Sequence, residues 1–374
     1  MSLPRIIADT PLAENIDQLL EGKVEILPWD TPAGEEDDSI EGIYTYGHVA
    51  VDDPLMERFP GIKVISNYGV GVDHIDLDAA RSRELPVGNT PDVLNGATAD
   101  MPMALLLAAS RRIIEGNTFA RSPEFTYYDP GYMLGREGHS STMGIIGLGR
   151  IGLQIARRAR GFDMTVLYHN RNERTDLPED LGATYVSMDE LLERSDYVIL
   201  SCPLTAETEK LIGERELELM KSTATLVNVA RGGVVDTDAL TAALEQGSIY
   251  HAGLDVTDPE PLLRDHPMLL LDNVTIAPHL DSATEQTRQQ MAEISVENLL
   301  SVGVRSARVF VWPQASLAGD AEARATTQKS IRAYVAIELF AFVVRCLFCS
   351  PCLLHIIPVS RLQIDRFIGG REMH

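Results

Sequence analysis

This chain of 374 residues alternates between two kinds of segment along most of its length. A short run rich in β-branched residues is followed by a turn and then by residues whose apolar members recur at helical spacing. Such runs between helices are typical of parallel strands that are covered on both faces. The runs lie at residues 5–8, 24–27, 43–46, 63–66, 143–146, 164–168, 197–200, 225–229, 252–256 and 273–276. The pattern predicts an α/β fold made of doubly wound parallel sheets.

Two longer helical segments predict where the chain passes between domains. Thr98 can cap a helix that runs to residue 112, with Pro102 at the edge of its tolerant first turn. Ser282 and Glu285 form a capping-box pattern at the start of a helix that ends near residue 300. The second helix is expected to return the chain to the first domain.

The two helices predict a division into two domains and a tail. We expect a smaller α/β domain from residues 1–99 and 283–302 and a larger domain from residues 100–282. Composition then changes, because residues 301–374 carry nine basic and five acidic residues whereas residues 1–300 carry 23 and 50. Three of the four cysteines also lie beyond residue 300. We therefore treat residues 303–374 as a divergent tail outside both domains.

The net charge of −23 at pH 7 argues against some classes of partner. A phosphate backbone needs a basic surface, so no nucleic acid is expected as a partner. The N-terminal residues lack the long apolar core of a secretory signal, and four cysteines are too few for a disulfide scaffold. These features predict a cytoplasmic protein.

The tail offers two alternative interpretations besides loose packing. Residues 334–359 are apolar enough to suggest a membrane anchor, but Glu338, Arg345 and Pro351 interrupt them, so no membrane association is expected. A metal set with three-residue spacing is the second alternative, although its surroundings are apolar. Its members are Cys346, Cys349, Cys352 and His355. Residues 1–300 show no convincing metal-ligand spacing, and no metal site is expected.

A glycine-rich loop predicts a dinucleotide site in the larger domain. Gly147, Gly149 and Gly152 form the pattern G-x-G-x-x-G directly after the apolar run 143–146. The loop opens a helix through Arg150 and Ile151, and this strand–loop–helix context is what the motif requires. The backbone amides at the start of the helix can then face a pyrophosphate.

The residues after the next strand predict which dinucleotide is preferred. An NAD site usually has an acidic residue there to hold the ribose hydroxyls, and this chain has Asn170 and Arg171 instead. An arginine suits a ribose 2′-phosphate, so NADP is the expected cofactor, with NAD possible. The alternative is that Arg171 is an ordinary solvated arginine.

Several chemically matched side chains follow neighbouring strands of the larger domain. Arg231 follows the run 225–229, and an arginine can hold a carboxylate through two parallel hydrogen bonds. His279 follows the run 273–276, and a histidine exchanges protons near neutral pH. Glu260 can fix the tautomer of that histidine and favour its charged form. Because the carboxyl ends of parallel strands share one edge, we expect these side chains and Asp255 to meet beside the dinucleotide.

With these residues in place, the chain resembles the D-isomer-specific 2-hydroxyacid dehydrogenases, in particular the glyoxylate/hydroxypyruvate reductases and 2-ketogluconate reductases. The resemblance spans about residues 4–302. It rests on the glycine loop and on residues 67–74, 89–94, 229–233, 253–256 and 278–280. It implies a Rossmann-type cofactor domain, a smaller flavodoxin-like substrate domain and a cleft between them. It also implies a homodimer.

The resemblance also implies roles for individual residues. His279 would be the acid/base, Glu260 its partner, and Arg231 the group that binds the substrate carboxylate and carbonyl. The backbone amides of Val70 and Gly71 would hold the same carboxylate. Pro203, Val229 and Asp255 would line the nicotinamide side of the cofactor site. The sequence departs from the family at Asp281, where glycine is usual, at Pro102 and in the tail.

Together these observations predict the reduction of small 2-oxo acids to D-2-hydroxy acids with NADPH or NADH. Glyoxylate and hydroxypyruvate are the expected substrates, with 2-ketogluconate as a further candidate. The alternative is a nucleotide-sensing interaction protein, because the transcriptional corepressors that resemble this family keep the same constellation. The motifs alone do not discriminate between the two.

Overall fold

The first of two parallel sheets is formed by the N-terminal part of the chain. The computed structural model describes residues 2–9, 11–32 and 39–301. This sheet has five strands in the order β2-β1-β3-β4-β5, all parallel. The strands are β1 (Arg5–Ala8), β2 (Glu25–Pro28), β3 (Ile40–Thr45), β4 (Val64–Asn67) and β5 (Val87–Gly88), with helices α1 (Glu14–Leu20), α2 (Asp53–Arg58) and α3 (Leu77–Ser82) between them. This is the flavodoxin-like strand order.

The second sheet has seven parallel strands in the order β12-β11-β10-β9-β6-β7-β8. Its strands are β6 (Thr142–Ile146), β7 (Thr165–His169), β8 (Ala183–Tyr185), β9 (Tyr197–Leu200), β10 (Thr225–Asn228), β11 (His251–Leu254) and β12 (Val274–Ile276). The helices that follow the first sheet are α4 (Asn95–Ser110), α5 (Ile113–Ala120), α6 (Arg150–Arg160), α7 (Met188–Arg194), α8 (Glu214–Leu219), α9 (Thr237–Gln246) and α10 (Glu285–Leu300). Strand order reverses at β6, the strand that precedes the glycine loop, as in Rossmann-type sheets. The predicted fold class is confirmed.

Helix α10 packs against the first sheet although it follows the second one in sequence. Met291, Val296 and Leu299 are buried in one apolar cluster with residues of β1, β3 and β4. The Ser295 and Tyr44 hydroxyls share a hydrogen bond of 2.7 Å. The Ser295 carbonyl accepts a second one from the Ser66 hydroxyl, also at 2.7 Å. Apolar burial and hydrogen bonds to buried groups therefore hold α10 on this sheet.

The structure corrects both predicted helix starts. Helix α4 begins at Asn95, so Thr98 lies inside it and Pro102 falls in its interior rather than in the first turn. Its N-cap residue is Leu94, whose side chain cannot form a capping hydrogen bond. The sequence therefore contains no capping signal at the true start of this helix. Helix α10 is capped by Thr284, whose side chain accepts from the Thr287 amide, and not by Ser282.

The predictions for the tail, including the anchor and the set Cys346, Cys349, Cys352 and His355, lie outside the described residues. Within residues 2–9, 11–32 and 39–301, no helix is long and apolar enough to cross a membrane. The same residues contain no group of three or more His, Cys, Asp or Glu side chains arranged to hold a metal ion.

Candidate active site

A cleft of about 1060 Å³ is lined by residues of both sheets and of α10. The first sheet contributes the turns after β3 and β4, and the second contributes the loops after β9, β10 and β12. Of the predicted site residues, the cleft lining includes Val70, Gly71, Ile151, Pro203, Val229, Arg231 and His279. These residues come from distant parts of the sequence and meet because parallel strands end at the same edge.

His279 and Glu260 form a hydrogen-bonded pair at this edge. His279 Nδ1 lies 2.8 Å from Glu260 Oε1, which leaves Nε2 for another partner. The hydrogen bond from Glu260 raises the pKa of His279 above its ordinary value, against the opposing effect of burial. The backbone of His279 is left-handed, with φ of 58°, an uncommon conformation for a residue other than glycine. The pair therefore favours the protonated form of the imidazole.

Asp255 fixes the loop that carries His279. Its carboxylate accepts hydrogen bonds from the Leu280 and Asp281 amides, both at 2.8 Å, and its carbonyl accepts one from the His279 amide at 2.9 Å. Its side chain is almost fully buried, and burial raises the pKa of this carboxyl group. The resemblance implied that Asp255 lines the cofactor side, whereas the structure places it beneath the loop and outside the residues that line the cleft.

Arg231 lies against the turn that follows β4. Its Nε is 3.0 Å from Asp73 Oδ1, and its Nη1 donates to the Ala230 carbonyl at 2.9 Å. A Cβ atom at Gly71 would overlap the Arg231 guanidinium, so only glycine permits this approach. Burial acts to raise the pKa of Asp73, but the Arg231 charge holds it below its usual value. Arg231 is thus held beside the backbone of Val70 and Gly71.

Sequence patterns did not predict a role for three residues in or beside this cleft. Asp73 and His48 line the cleft, and His74, which does not line it, lies next to His48. The His48 ring lies 5.8 Å from the His279 ring and 5.0 Å from the His74 ring. Burial and the neighbouring His48 lower the pKa of His74 to about 4, so His74 is neutral at pH 7. These residues are recognised only by their proximity in the folded chain, which sequence spacing does not reveal.

The glycine loop has the geometry that a dinucleotide requires. Gly147 has φ of 100°, and a Cβ there would lie 2.5 Å from the Cys202 amide nitrogen. A Cβ at Gly152 would lie 2.5 Å from the Gly147 carbonyl oxygen, so this glycine lets α6 approach the loop. At Gly149 a Cβ would meet nothing within 4 Å, which leaves space over the start of α6. The residues present therefore fit a pyrophosphate group.

Asn170 and Arg171 follow β7 as predicted but differ in their contacts. The Asn170 side-chain oxygen accepts a hydrogen bond from the Leu148 amide at 2.6 Å, so it supports the glycine loop. Arg171 is exposed and forms no ion pair within the described residues. Arg150 pairs with Asp92 at 3.3 Å, which joins the start of α6 to the segment before α4.

A Rossmann-type domain beside a smaller α/β domain, with a histidine–carboxylate pair at their cleft, defines a class of two-domain nicotinamide-dependent oxidoreductases. The family model for the NAD-binding domain of D-isomer specific 2-hydroxyacid dehydrogenases matches residues 103–280. The glyoxylate reductase of Pyrococcus furiosus is 41% identical over 309 residues, which are 80% of this chain and 92% of that protein. The chain therefore belongs to the D-isomer specific 2-hydroxyacid dehydrogenase family and is an oxidoreductase with a nicotinamide cofactor.

Solved structures give the same assignment. The NADPH-dependent glyoxylate/hydroxypyruvate reductase of Sinorhizobium meliloti, in complex with NADP and malonate, is 32% identical with a TM-score of 0.76, covering 83% of this chain and 97% of that one. A glyoxylate reductase from Paecilomyes thermophila is 33% identical with a TM-score of 0.72, covering 83% and 99%. The similarity thus extends over nearly the full length of these relatives.

Proposed function

We propose that this protein reduces glyoxylate and hydroxypyruvate to D-2-hydroxy acids. The observation that carries the proposal is the 2.8 Å pair of His279 and Glu260, of which His279 lines the same cleft as Arg231. A proton donor next to a carboxylate-binding cation is what the reduction of a 2-oxo acid needs. The glyoxylate reductase relatives support glyoxylate as a substrate, and the glyoxylate/hydroxypyruvate reductase of Sinorhizobium meliloti supports both substrates.

Arg231 and the backbone amides of Val70 and Gly71 would hold the substrate carboxylate. The substrate carbonyl would then face Nε2 of His279, because Nδ1 is bonded to Glu260. When bound, the reduced nicotinamide supplies a hydride to the carbonyl carbon. His279 gives its Nε2 proton to the carbonyl oxygen, which completes the alcohol, and Glu260 keeps the imidazole protonated until that transfer. Pro203 and Val229 would form the wall on the cofactor side.

The direct test is consumption of NADPH and NADH with a panel of 2-oxo acids. His279→Ala should lower turnover about 10²–10⁴-fold while cofactor binding stays nearly unchanged, since general acid catalysis contributes about that much. Arg231→Ala should weaken both substrate binding and turnover. If His279→Ala keeps full activity, His279 is not the proton donor. If the wild type reduces no 2-oxo acid, the proposed function is wrong.

We further propose that NADP is preferred over NAD. The support is the exposed Arg171 after β7, with no acidic residue in the position that usually holds ribose hydroxyls. A relative that is NADPH-dependent and binds NADP is consistent with this choice. Arg171→Ala should weaken NADPH binding much more than NADH binding, because only the phosphorylated ribose needs the cation. Equal losses for both cofactors would contradict the assignment.

We also propose a homodimer and the domain division at residues 1–99 with 283–302 and 100–282. The support for the dimer is a set of exposed apolar side chains on α5 and the segment after it, comprising Ile113, Ile114, Phe125, Tyr127, Tyr128, Tyr132 and Leu134. Sedimentation analysis should give a dimer mass that Ile114→Glu shifts toward the monomer. A cytoplasmic location remains part of the same proposal.

A further inference from the structure

The acid/base His279 is in contact with a histidine that belongs to the first sheet. The His48 ring, in the turn after β3, lies 5.8 Å from the His279 ring with an angle of 39° between the ring planes. Aromatic pairs attract each other at centroid separations of about 4.5–7 Å, so the two imidazoles pack together. His48 lines the same cleft as His279, and the proposed reaction does not use it. The His279 ring is thus bonded to Glu260 through Nδ1 and touched by His48 from the first sheet.

The turn that carries His48 has a defined conformation. The backbone at His48 is left-handed, with φ of 62°. Strain of this kind persists only where the surroundings fix the conformation. The Asp9 carboxylate supplies part of that support, because it accepts hydrogen bonds from the Tyr46 and Gly47 amides, both at 2.8 Å. The turn therefore presents the His48 ring at a fixed place in the cleft.

A third histidine, His74, packs against His48 with 5.0 Å between the ring centroids, and its hydrogen bonds define its tautomer. The Asn67 side-chain amide donates to two backbone carbonyls, so its oxygen is the acceptor for the Thr45 hydroxyl at 2.6 Å. A hydroxyl has one hydrogen, and Thr45 can therefore only accept from His74 Nε2, which lies 3.3 Å away. Nδ1 of His74 is then unprotonated, and it is buried without a hydrogen-bond partner in the described part of the chain. His48 thus packs against a neutral ring that is held by the first sheet.

His48 itself is neutral at pH 7. Partial burial of its ring is the largest influence that lowers its pKa, followed by the positive charges of Arg231 and His279. The nearby carboxylates of Asp73 and Glu260 act in the opposite direction and do not compensate. A neutral His48 can pack against a protonated His279 without repulsion between like charges.

We propose that His48 is a positioning residue for His279, and that its neutral ring keeps the protonated imidazole in the orientation that the reaction needs. His48 neither gives nor takes a proton in the reaction. The acid/base is instead held from both sheets, by Glu260 at Nδ1 and by His48 through ring packing. This proposal rests on the proposed function, because it uses the same acid/base.

Protonation of His48 should disrupt this arrangement. As the pH falls through its lowered pKa, His48 becomes a cation beside His279 and Arg231, and the like charges repel. The acid limb of the pH profile for reduction should therefore contain the titration of His48. The basic limb belongs to His279, which must keep its proton.

The test compares His48→Asn with His48→Phe. Asparagine tolerates the left-handed backbone but removes the ring, so kcat for glyoxylate reduction at pH 7 should fall about three- to tenfold. KM for glyoxylate and the affinity for NADPH should change less than about twofold, because a positioning residue acts on turnover rather than on binding. Phenylalanine keeps an aromatic face that takes no proton, so it should recover most of kcat and move the acid limb to lower pH. His139→Asn is the matched control, since His139 is an exposed histidine outside the cleft lining, and it should change none of these values.

A titration of the histidine rings by NMR tests the contact without turnover. The His48 signal is assigned by its absence in His48→Asn. In His279→Asn the pKa of His48 should rise, because the neighbouring positive charge is removed. An unchanged pKa of His48 would show that the two rings do not interact and would overturn the proposal.

Wild-type kcat in His48→Asn would also overturn it. So would a rise in KM that His48→Phe shares, because His48 would then bind the substrate. Should His48→Phe not fold, His48→Asn and the titration decide the question. A wild type that reduces no 2-oxo acid would refute the proposed function and this proposal together, whereas an unchanged pKa of His48 would refute this proposal alone.

Discussion

His279 lies between two carboxylates that act on different ring nitrogens. Glu260 is bonded to Nδ1, and Asp281 Oδ1 lies 4.0 Å from Nε2, the nitrogen that would face the substrate. Both carboxylates favour the protonated imidazole. Glu260 leaves the reacting nitrogen free, whereas Asp281 places a negative charge beside it. The two acidic residues should therefore have separable effects on catalysis.

Replacing Glu260 with Gln should shift the pH profile of reduction to lower pH. Glu260 raises the pKa of His279, so without it the proton-donating form is lost at a lower pH. The profile for oxidation of the hydroxy acid, which needs neutral His279, should shift in the same direction. Rates measured between roughly pH 5 and 9 in both directions check this. An unchanged profile would show that the two side chains are not coupled.

Replacing Asp281 with Gly should raise the apparent affinity for 2-oxo acids. The change removes a negative charge from the edge of the site that we propose to bind a carboxylate. It also lowers the pKa of His279, although Glu260 keeps most of the effect. Because the Asp281 side chain is only 15% exposed, salt should screen it weakly and the gain should persist at about 0.5 M NaCl. KM values at low and high salt test this, and a gain that vanishes with salt would place Asp281 in solvent.

At the scale of elements, close approach between α10 and the first sheet depends on a small residue. A Cβ at Gly88 in β5 would lie 2.8 Å from the Asn298 side chain, which donates a hydrogen bond to the Asn89 carbonyl at 3.0 Å. Asn298 is buried and cannot move away without losing that bond. The contact makes β5, although only two residues long, an anchor for the returning helix.

Gly88→Ala should therefore lower the free energy of unfolding by about 1–3 kcal/mol, the usual cost of overpacking. Gly96→Ala is the matched control, because a Cβ there meets nothing within 4 Å in a helix where alanine is favoured. Urea unfolding of both variants measures the difference. If Gly88→Ala is as stable as the control, α10 is not held by this contact.

Strands that contain a clear apolar run were predicted from the sequence, and strands without such a run were missed. Ten apolar runs correspond to ten strands, but β5 and β8 are two and three residues long, too short to show a period. Thr284 and Ser282 are both plausible caps, and only the backbone geometry distinguishes them. In the site, residues at strand ends were predictable because parallel topology brings them together. Asp73 and His48 were not, since they meet Arg231 and His279 only through contacts between the two domains.

At the scale of the whole molecule, the dominant feature is negative charge. Residues 1–300 hold 50 acidic residues against 23 basic ones, of which only four are lysines. Charge of one sign repels itself in the compact state and destabilises it. Exposed pairs such as Lys63 with Glu41 offset little of this repulsion, since surface ion pairs contribute about 0–1 kcal/mol each.

Added salt should therefore stabilise the fold. The Debye length falls from about 30 Å at 0.01 M to about 3 Å at 1 M, so repulsion between surface carboxylates is largely screened over that range. The free energy of unfolding by urea should rise as potassium chloride increases between these concentrations. A non-ionic osmolyte at matched osmolality serves as the control. A fall in stability with salt would show that the ion pairs outweigh the repulsion.

The chain passes between the two sheets twice, through residues 89–94 before α4 and through residues 277–284 before α10. The Asn298 side chain, near the end of α10, is bonded to the Asn89 carbonyl and ties the returning helix to the first passage. Two such passages leave the two sheets one simple relative motion, which is a rotation about the line that joins the passages. His279 lies on the second passage, and residues on the passages move least in such a rotation. The distance from its Nδ1 to Glu260 should thus stay constant while the outer rims of the cleft travel furthest.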